Sequence, residues 1–288
     1  MYESIISVLV VGYGTMGRGI VRTFADNGFK TSVLSRDPSR ITDLPKGTNA
    51  ITELPESAPD LVIESIPEEL ALKHELFLKL EAAYGDASIL ATNTSGLPID
   101  EVARPLAHKD RFIAIHYMQP AEAFPLVEVC RLEETSDETT KKCVEALARS
   151  GKESIVLQRP IIGFLINRLQ HALLHEAYCM VEDGIVSVED VDKFARRGFG
   201  PRMCVTGLIE QKDLSGVDVN AAAQRSIVPD LYHTRTPCQM VQDMAARGDH
   251  GVKTGKGFYD WSDRDVDAYR DAASDKLGRL WSALSDQK

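Results

Sequence analysis

The sequence has few of the features that mark secreted and membrane proteins. Among its 288 residues are five cysteines, an odd number without any C-x-x-C pair, which argues against a disulfide framework or a zinc site. The first residues do not show a basic segment followed by a long apolar run and a small-residue cleavage site, and no apolar stretch reaches membrane-spanning length, so we expect neither a signal peptide nor a membrane span. A formal net charge of -10 argues against nucleic acid and acidic membranes as partners. We therefore expect a cytoplasmic protein with reduced thiols.

A glycine-rich turn separates a buried strand from an amphipathic helix near the beginning of the sequence. The apolar run Ser4–Val11 predicts the strand, and the helix extends to Asn27-Gly28. In a G-x-G-x-x-G turn the second glycine lets the backbone approach a pyrophosphate, and the third lets the helix pack on the strand. The alternative is an ordinary glycine turn without a ligand. The predicted cofactor-binding residues here are Gly12, Gly14, Thr15, Met16 and Gly17.

The end of the second predicted strand, Lys30–Leu34, bears on the choice of cofactor. An NAD-binding unit usually has Asp or Glu there, which bonds the ribose hydroxyls and repels a 2′-phosphate. Here Ser35 takes that position, and Arg36, with Arg40 behind it, could meet a 2′-phosphate. This favours NADP over NAD. The alternative is that Asp37 takes the role of the acid and Arg36 is merely solvated.

The rest of the first half alternates apolar runs with one amphipathic segment after another, which predicts a doubly wound, mostly parallel sheet. The segment from Pro38 to Pro59 is short and rich in turns. Ser95 lies in a polar cluster just past a predicted strand, where it could donate to a carbonyl oxygen. Further strands are predicted at Asp60–Ile66, Ala87–Ala91, Arg111–Ile115, Pro125–Val129 and Glu153–Leu157, and helices at Glu68–Tyr84 and Ser136–Ser150.

Two of these strands carry a candidate acid–base pair. One ends in His116, and the next carries Glu128. Histidine exchanges a proton near neutral pH, and a carboxylate on its second nitrogen fixes the tautomer and stabilises the imidazolium. The two side chains form such a pair if their strands lie side by side. The alternative is that His116 satisfies hydrogen bonds in the core and Glu128 lies on the surface.

The second half is helical throughout. Gln158-Arg-Pro160 marks the predicted boundary between a dinucleotide-binding domain, residues 1–160, and a helical substrate and dimerisation domain, residues 161–288. Because the first helix is long and largely apolar, we expect a homodimer. The predicted helices are Ile162–Asp183, Val188–Arg197, Met203–Leu214, Val217–Arg225, Thr236–Arg247 and Asp265–Leu284.

A series of short motifs occurs along the chain in a fixed order. They are Gly12–Gly17, Glu68 with Lys73, Asn93-Thr-Ser95, His116 with Pro120 and Glu128, Gly163–Arg168, Glu176–Gly184 and Lys253–Tyr259. Together they resemble the 3-hydroxyacyl-CoA dehydrogenase family over nearly the whole chain. The resemblance implies a Rossmann domain, a helical dimerising domain and reversible oxidation of a secondary alcohol by a nicotinamide cofactor.

The resemblance also implies roles for individual residues. His116 is similar to the family's general base, Glu128 to its orienting carboxylate, and Ser95 and Asn167 to the groups that hold the substrate oxygen. Hydride transfer leaves a developing carbonyl, so one base and one or two neutral donors suffice without a metal. The resemblance assigns Glu68, Lys73 and Asn93 to the cofactor.

Several departures from the family pattern affect the substrate. Tyr117-Met-Gln119 follows the histidine where Phe-Phe-Asn is commoner. Residues 36–59 lack the helical insertion with which family members contact CoA. Gly198–Met203 resembles the branch that oxidises free hydroxy acids such as gulonate or carnitine. Arg202 could therefore pair with a substrate carboxylate, or simply form a salt bridge at a helix start.

The sequence thus predicts an NAD(P)-dependent oxidoreductase that interconverts a small 3-hydroxy acid and a ketone, with a substrate that is not a CoA thioester. One alternative is an L-3-hydroxyacyl-CoA dehydrogenase. Another is a non-catalytic, crystallin-like cofactor-binding protein. A β-hydroxyacid dehydrogenase with a catalytic lysine is not favoured, because no lysine lies between Ile162 and Asp183.

Overall fold

The computed structural model describes residues 4–285. The chain divides into two compact units, the first ending at Arg168 and the second beginning at Leu169. The domain boundary predicted after residue 160 stays a prediction. None of the described helices combines the length and the apolar character that crossing a bilayer requires.

In the described part of the first unit, eight strands form one sheet. They are β1 (Ser7–Val11), β2 (Lys30–Leu34), β3 (Asn49–Ile51), β4 (Leu61–Glu64), β5 (Ile89–Thr92), β6 (Phe112–Tyr117), β7 (Leu126–Arg131) and β8 (Glu153–Leu157). The order across the sheet is β3-β2-β1-β4-β5-β6-β7-β8, and every neighbouring pair is parallel except β6 with β7. The chain changes direction across the sheet between β1 and β4, which is the switch point where doubly wound sheets bind ligands.

Helices cover both faces of this sheet. They are α1 (Thr15–Ala25), α2 (Leu70–Tyr84), α3 (Ile99–Ala103) and α4 (Asp137–Arg149). Apolar side chains of α1 and α4 form one core with one face of the sheet, and those of α2 and α3 form a second core with the other. Burying a side chain such as Phe77 contributes about 1.5–3 kcal/mol to stability. Since β4 is buried at every position, its first three residues form an apolar run in the sequence, and only its last residue, Glu64, is charged.

The second unit is helical. After α5 (Ile166–Glu182), which begins just before the division, come α6 (Val188–Phe194), α7 (Gly200–Thr206), α8 (Glu210–Ser215), α9 (Val217–Ile227), α10 (Gln239–Ala246) and α11 (Val266–Ser285). A π-helical turn, Ala195–Phe199, joins α6 to α7. The doubly wound sheet followed by a helical region confirms the predicted fold class.

Some predicted elements were wrong in detail. The segment predicted as turns contains β3, a short strand that pairs with β2 at the edge of the sheet. The first long helix begins at Ile166 rather than Ile162, because Gly163 and Phe164 have φ values of +82° and +49°, outside the helical region. The single helix predicted from Met203 is two, because Gly207 ends the first with a φ of +65°.

Candidate active site at the carboxyl ends of the strands

The glycine turn after β1 has the shape that a pyrophosphate requires. Gly12 has a φ of +99°, and a Cβ there would lie 2.5 Å from the carbonyl oxygen of Ser65. A Cβ on Gly17 would collide with the carbonyl oxygen of Gly12, whereas a Cβ on Gly14 would meet nothing within 4 Å. The first and third glycines are therefore needed for close packing, and the second leaves the backbone open to a ligand.

Helix α1 begins directly behind this opening. Thr15 and Met16 lie in its first turn, which contains no acidic residue and has no side-chain cap. Its free N–H groups and the positive end of its dipole are therefore available to an anion. The residues predicted to bind the cofactor phosphates fit a dinucleotide at this position.

Ser35, Arg36 and Asp37 follow directly on β2, beside the glycine turn, where Gly12 N–H donates to the carbonyl of Leu34 at 2.9 Å. The Asp37 carboxylate is already engaged by the Nε of Arg40, at 2.9 Å, and by a serine hydroxyl. Arg36 is exposed and forms no ion pair with any residue that the structure describes. Of the two charged residues directly after β2, Arg36 is therefore the one without an ion-pair partner among the described residues.

Beside the glycine turn, at the ends of β4 and β5, two carboxylates share one ammonium group. Lys73 Nζ lies 2.5 Å from Glu64 Oε1 and 3.1 Å from Glu68 Oε2. Glu64 and Lys73 are fully buried. Glu68 precedes α2 instead of lying in it. Sequence reasoning missed Glu64, although an acid at the end of an otherwise apolar strand was a usable signal.

The loop after β5 is held by the same group of charges. Glu68 accepts hydrogen bonds from the Ser95 N–H at 2.7 Å, from the Ser95 hydroxyl at 3.3 Å and from the Thr94 hydroxyl at 2.9 Å. The Asn93 side-chain oxygen accepts the backbone N–H of Tyr117 at 2.9 Å. Asn93 therefore ties the end of β5 to the end of β6, next to the histidine.

His116 and Glu128 lie opposite each other in the register of β6 and β7. The His116 Nδ1 is 2.8 Å from Glu128 Oε2, and both side chains are buried. Burial alone would raise the pKa of the Glu128 carboxyl, but hydrogen bonds from His116 and from the N–H groups of Ile166 and Leu165 lower the pKa below its ordinary value. An ionised Glu128 accepts the Nδ1 proton, which leaves Nε2 as the basic nitrogen of the ring.

A strained turn before α5 contacts both members of this pair. Gly163 and Phe164 have positive φ angles. Directly after them, the N–H groups of Leu165 and Ile166 donate to Glu128 Oε1, at 2.8 and 2.9 Å. The Phe164 ring stacks on the imidazole, with centroids 4.6 Å apart and 22° between planes. A bulky residue with positive φ is uncommon and costs about 1–3 kcal/mol. Sequence reasoning gave Phe164 no role.

The two remaining predicted residues lie in helices. Asn167 is half-buried in the first turn of α5, and its side chain makes no hydrogen bond with a described residue. Arg202 is exposed in α7, within the second unit, and no described carboxylate pairs with it. The first unit therefore brings together the residues predicted at the strand ends, and Arg202 belongs to a separate unit.

Family models match most of the chain. The NAD binding domain of 3-hydroxyacyl-CoA dehydrogenase matches residues 7–57 and 42–160, and the C-terminal domain of the same enzyme matches residues 163–261. The chain belongs to the 3-hydroxyacyl-CoA dehydrogenase family. This confirms the resemblance in the sequence and the prediction of an oxidoreductase with an NAD-binding Rossmann domain.

Two similar proteins align with this chain over most of their length. A probable 3-hydroxybutyryl-CoA dehydrogenase of Bacillus subtilis is 30% identical, over 89% of this chain and 98% of its own. The 5-formyl-3-hydroxy-2-methylpyridine 4-carboxylate 5-dehydrogenase of Mesorhizobium japonicum is 25% identical, over 94% and 96%.

Solved structures of the family have the same fold. The 3-hydroxyacyl-CoA dehydrogenase of Archaeoglobus fulgidus has a TM-score of 0.71 at 28% identity, covering 96% of this chain and 99% of its own. A structure of the pyridine carboxylate 5-dehydrogenase, described as an NAD+-dependent dismutase, has a TM-score of 0.90 and covers 99% of this chain and 100% of its own. At 24% identity, that second likeness is one of fold alone.

Proposed function

We propose that the protein is an NAD(P)-dependent dehydrogenase that interconverts a 3-hydroxy acid and the corresponding ketone. The observation that carries this proposal is the buried His116–Glu128 pair, joined by a 2.8 Å hydrogen bond at the edge of the sheet that also carries the glycine turn. A purely structural, crystallin-like role does not require a base, its orienting carboxylate and hydroxyl donors at one edge of the sheet.

In this mechanism His116 Nε2 takes the proton of the substrate hydroxyl as hydride leaves the carbon. When bound, the dinucleotide supplies the hydride acceptor. Glu128 holds the Nδ1 proton and stabilises the imidazolium that forms. Ser95 and Asn167 donate to the substrate oxygen as it becomes a carbonyl, or as it gains charge in the reverse reaction.

The test of this mechanism is His116→Ala. A positioned acid–base group contributes about 10²–10⁴-fold, so the initial rate of ketone reduction should fall by that factor. His108→Ala, a change of an exposed histidine outside the site, is the matched control. A rate that stays within about threefold of the unaltered protein contradicts the proton-transfer role.

We also propose that the substrate is a free hydroxy acid. The segment after β2 contains a 3-10 turn, Pro38–Arg40, and the short strand β3, with no long helix that could contact CoA. The name of the Mesorhizobium relative describes a substrate that is not a thioester. The exposed Arg202, which no described carboxylate pairs, is the proposed partner of the substrate carboxylate. Faster reduction of acetoacetyl-CoA than of free 3-keto acids would favour the alternative, an L-3-hydroxyacyl-CoA dehydrogenase.

For the cofactor we propose a preference for NADP over NAD. The support is Arg36, which has no ion-pair partner, together with the engagement of Asp37 by Arg40. The family model and the relatives favour NAD, which is the alternative. Dissociation constants for NADPH and NADH decide between them. Arg36→Ala should weaken NADPH binding alone. Arg104→Ala, a change of an exposed arginine at the end of α3, is the control. Tighter NADH binding by the unaltered protein contradicts the preference.

A cytoplasmic homodimer assembled through the second unit completes the proposal. The second unit exposes large apolar side chains, including Ile209 at 77% and Leu214 at 73%, that a second copy could cover. If unfolding includes dissociation, the free energy of unfolding should rise by about 1.4 kcal/mol for each tenfold increase in protein concentration. Sedimentation at several concentrations provides the independent measurement, and a monomer throughout contradicts the dimer.

A further inference from the structure

Glu64, Lys73 and Glu68 form a small charged cluster, named here the carboxylate cluster, at the ends of β4 and β5. The exposed fraction of the side chain is 0% for Glu64, 1% for Lys73 and 42% for Glu68. One ammonium group therefore lies between two carboxylates, one buried and one partly open to solvent. The mechanism proposed above uses none of these three charges.

The cluster carries a net charge of one negative unit. Glu64 accepts from Lys73, from the Ile66 N–H at 2.8 Å and from the Thr92 hydroxyl at 2.7 Å, all of them donors suited to an anion. Burial alone would raise the pKa of Glu68, but the Ser95 N–H, the Lys73 charge and the Thr94 hydroxyl lower the pKa below its ordinary value. With both acids ionised, Lys73 balances only one of them.

The position of the cluster relates this charge to the cofactor. The phosphates fit the glycine turn after β1, and the adenine ribose belongs over the end of β2. A dinucleotide crosses the strand ends at the switch point, so its nicotinamide half extends toward β4 and β5. Glu64 is the last residue of β4 and accepts the hydroxyl of Thr92, the last residue of β5, so the cluster lies at the ends of these two strands. Cofactor binding at this edge is part of the proposed function, and the inference below rests on it.

We propose that the carboxylate cluster makes the protein bind the oxidised cofactor in preference to the reduced one. The oxidised nicotinamide ring carries a positive charge that the reduced ring lacks. A net negative charge at a partly buried site stabilises only the charged ring, while contacts to the ribose and phosphates are common to both forms. Bound reduced cofactor is accordingly a better hydride donor than the same molecule in water.

The charge of Glu68 can be separated from its hydrogen bonds. A glutamine oxygen would still accept from the Ser95 N–H and the Thr94 hydroxyl, so Glu68→Gln preserves the loop and removes one charge. Because the Glu68 side chain is partly exposed, we expect this variant to fold. Glu64→Gln removes one charge from the buried side of the cluster and leaves the loop contacts of Glu68 in place.

The experiment measures dissociation constants for NAD+ and NADH, and for NADP+ and NADPH, by calorimetry. The readout is the preference ratio, defined as the constant of the reduced form divided by that of the oxidised form. Glu68→Gln and Glu64→Gln should each lower this ratio by about three- to tenfold, the effect of one unit charge several ångströms from the ring at intermediate dielectric. Contacts common to both forms cancel in the ratio.

A double variant and a matched control make the test specific for charge. Glu64→Gln with Lys73→Gln removes one negative and one positive charge, so the net charge returns to minus one and the ratio should return toward that of the unaltered protein. Glu81→Gln is the control. Like Glu68, Glu81 accepts hydrogen bonds from the backbone, here from the N–H groups of Ala107 and His108, but it lies toward the other end of α2.

The outcomes distinguish this inference from the function on which it rests. If the variants weaken both cofactor forms by the same factor, the cluster only shapes the loop and the inference is overturned. The inference is also overturned if the preference ratio of the double variant stays as low as that of Glu64→Gln. If the unaltered protein binds no dinucleotide, the proposed function itself fails, and the charge preference fails with it.

Discussion

In the first unit β4 is buried at every position, whereas among the described residues of the second unit only Cys179 and Cys238 are buried. The sheet of the first unit has helices on both faces and forms its own cores. The helices of the second unit leave apolar side chains such as Val205, at 68%, open to solvent. The first unit therefore has the buried cores that stabilise a domain, whereas the described helices of the second unit leave apolar surface exposed.

The polar groups of the two units differ in the same way. In the first unit, charged side chains are buried and paired, as in the carboxylate cluster and the His116–Glu128 pair. In the second, acidic side chains of α5 bond the backbone of neighbouring segments, such as Glu182 with the Met240 N–H at 2.7 Å. Chemistry that needs fixed geometry is therefore better placed in the first unit.

The largest effect that would test this contrast is a core truncation. Phe112 is fully buried and packs edge-on against Phe77 at 5.3 Å. Phe112→Ala should lower the free energy of unfolding by about 3–5 kcal/mol, because the change removes buried area and leaves a cavity. Urea denaturation measures this loss.

The same substitution in the second unit is the control. Phe194 is 65% exposed, so Phe194→Ala in an isolated protomer should cost less than about 0.5 kcal/mol. A cost close to that of Phe112→Ala would mean that another surface covers Phe194 in solution. A small loss for Phe112→Ala would contradict the dense core of the first unit.

A smaller effect concerns the buried acid–base pair. The pKa of Glu128 in the folded protein lies below its ordinary value of 4.5, so just below pH 4.5 the unfolded chain binds more protons than the folded one. Stability from Glu128 is therefore complete above this pH and is lost as pH falls through the folded pKa. At neutral pH, Glu128→Gln should cost about 1–2 kcal/mol.

Chemical denaturation as a function of pH checks this linkage. The difference in unfolding free energy between the protein and Glu128→Gln should shrink as the pH falls below 4.5. Glu133→Gln, a loss of charge at an exposed position, is the control. A difference that stays constant down to the acid-unfolding limit would contradict an ionised, hydrogen-bonded Glu128.

The fold was predictable where local sequence and burial agree. The central strands are continuous apolar runs, and the glycine turn between β1 and α1 has a specific pattern, so both were predicted. The edge strand β3 has only three residues, which is too few to show such a pattern. It forms through hydrogen bonds to β2, which the local sequence does not reveal. The start of α5 was misplaced because the apolar residues around Phe164 fit a helix, while their backbone serves the contact with Glu128.

The residues of the candidate site likewise divide into those that the local sequence predicts and those that it does not. His116 and Glu128 could be paired in advance because strand-end positions predict neighbours in a sheet. Glu64 at the end of an apolar strand was a usable signal, but its pairing with Lys73 could not be predicted, because Lys73 is on a helix and no spacing rule joins the two. Phe164 was missed because an apolar residue in a sequence predicts a core position. A phenylalanine that stacks on an imidazole has the same sequence pattern as one that packs in the core.

The smallest effect compares two helix caps of equal geometry, one in each unit. Ser136 accepts the Thr139 N–H at the start of α4, and Ser187 accepts the Asp190 N–H at the start of α6, both at 3.1 Å. Replacing either serine by alanine should cost about 1 kcal/mol, and replacement by threonine should retain most of the cap. Hydrogen exchange of backbone amides would show which unit loses stability in each variant.

Because each cap lies wholly within one unit, Ser136→Ala should speed exchange in α4 and the sheet. Ser187→Ala should speed exchange in the second unit. Equal losses in both units from either change would mean that they unfold together, and the contrast in burial would then not divide the chain energetically.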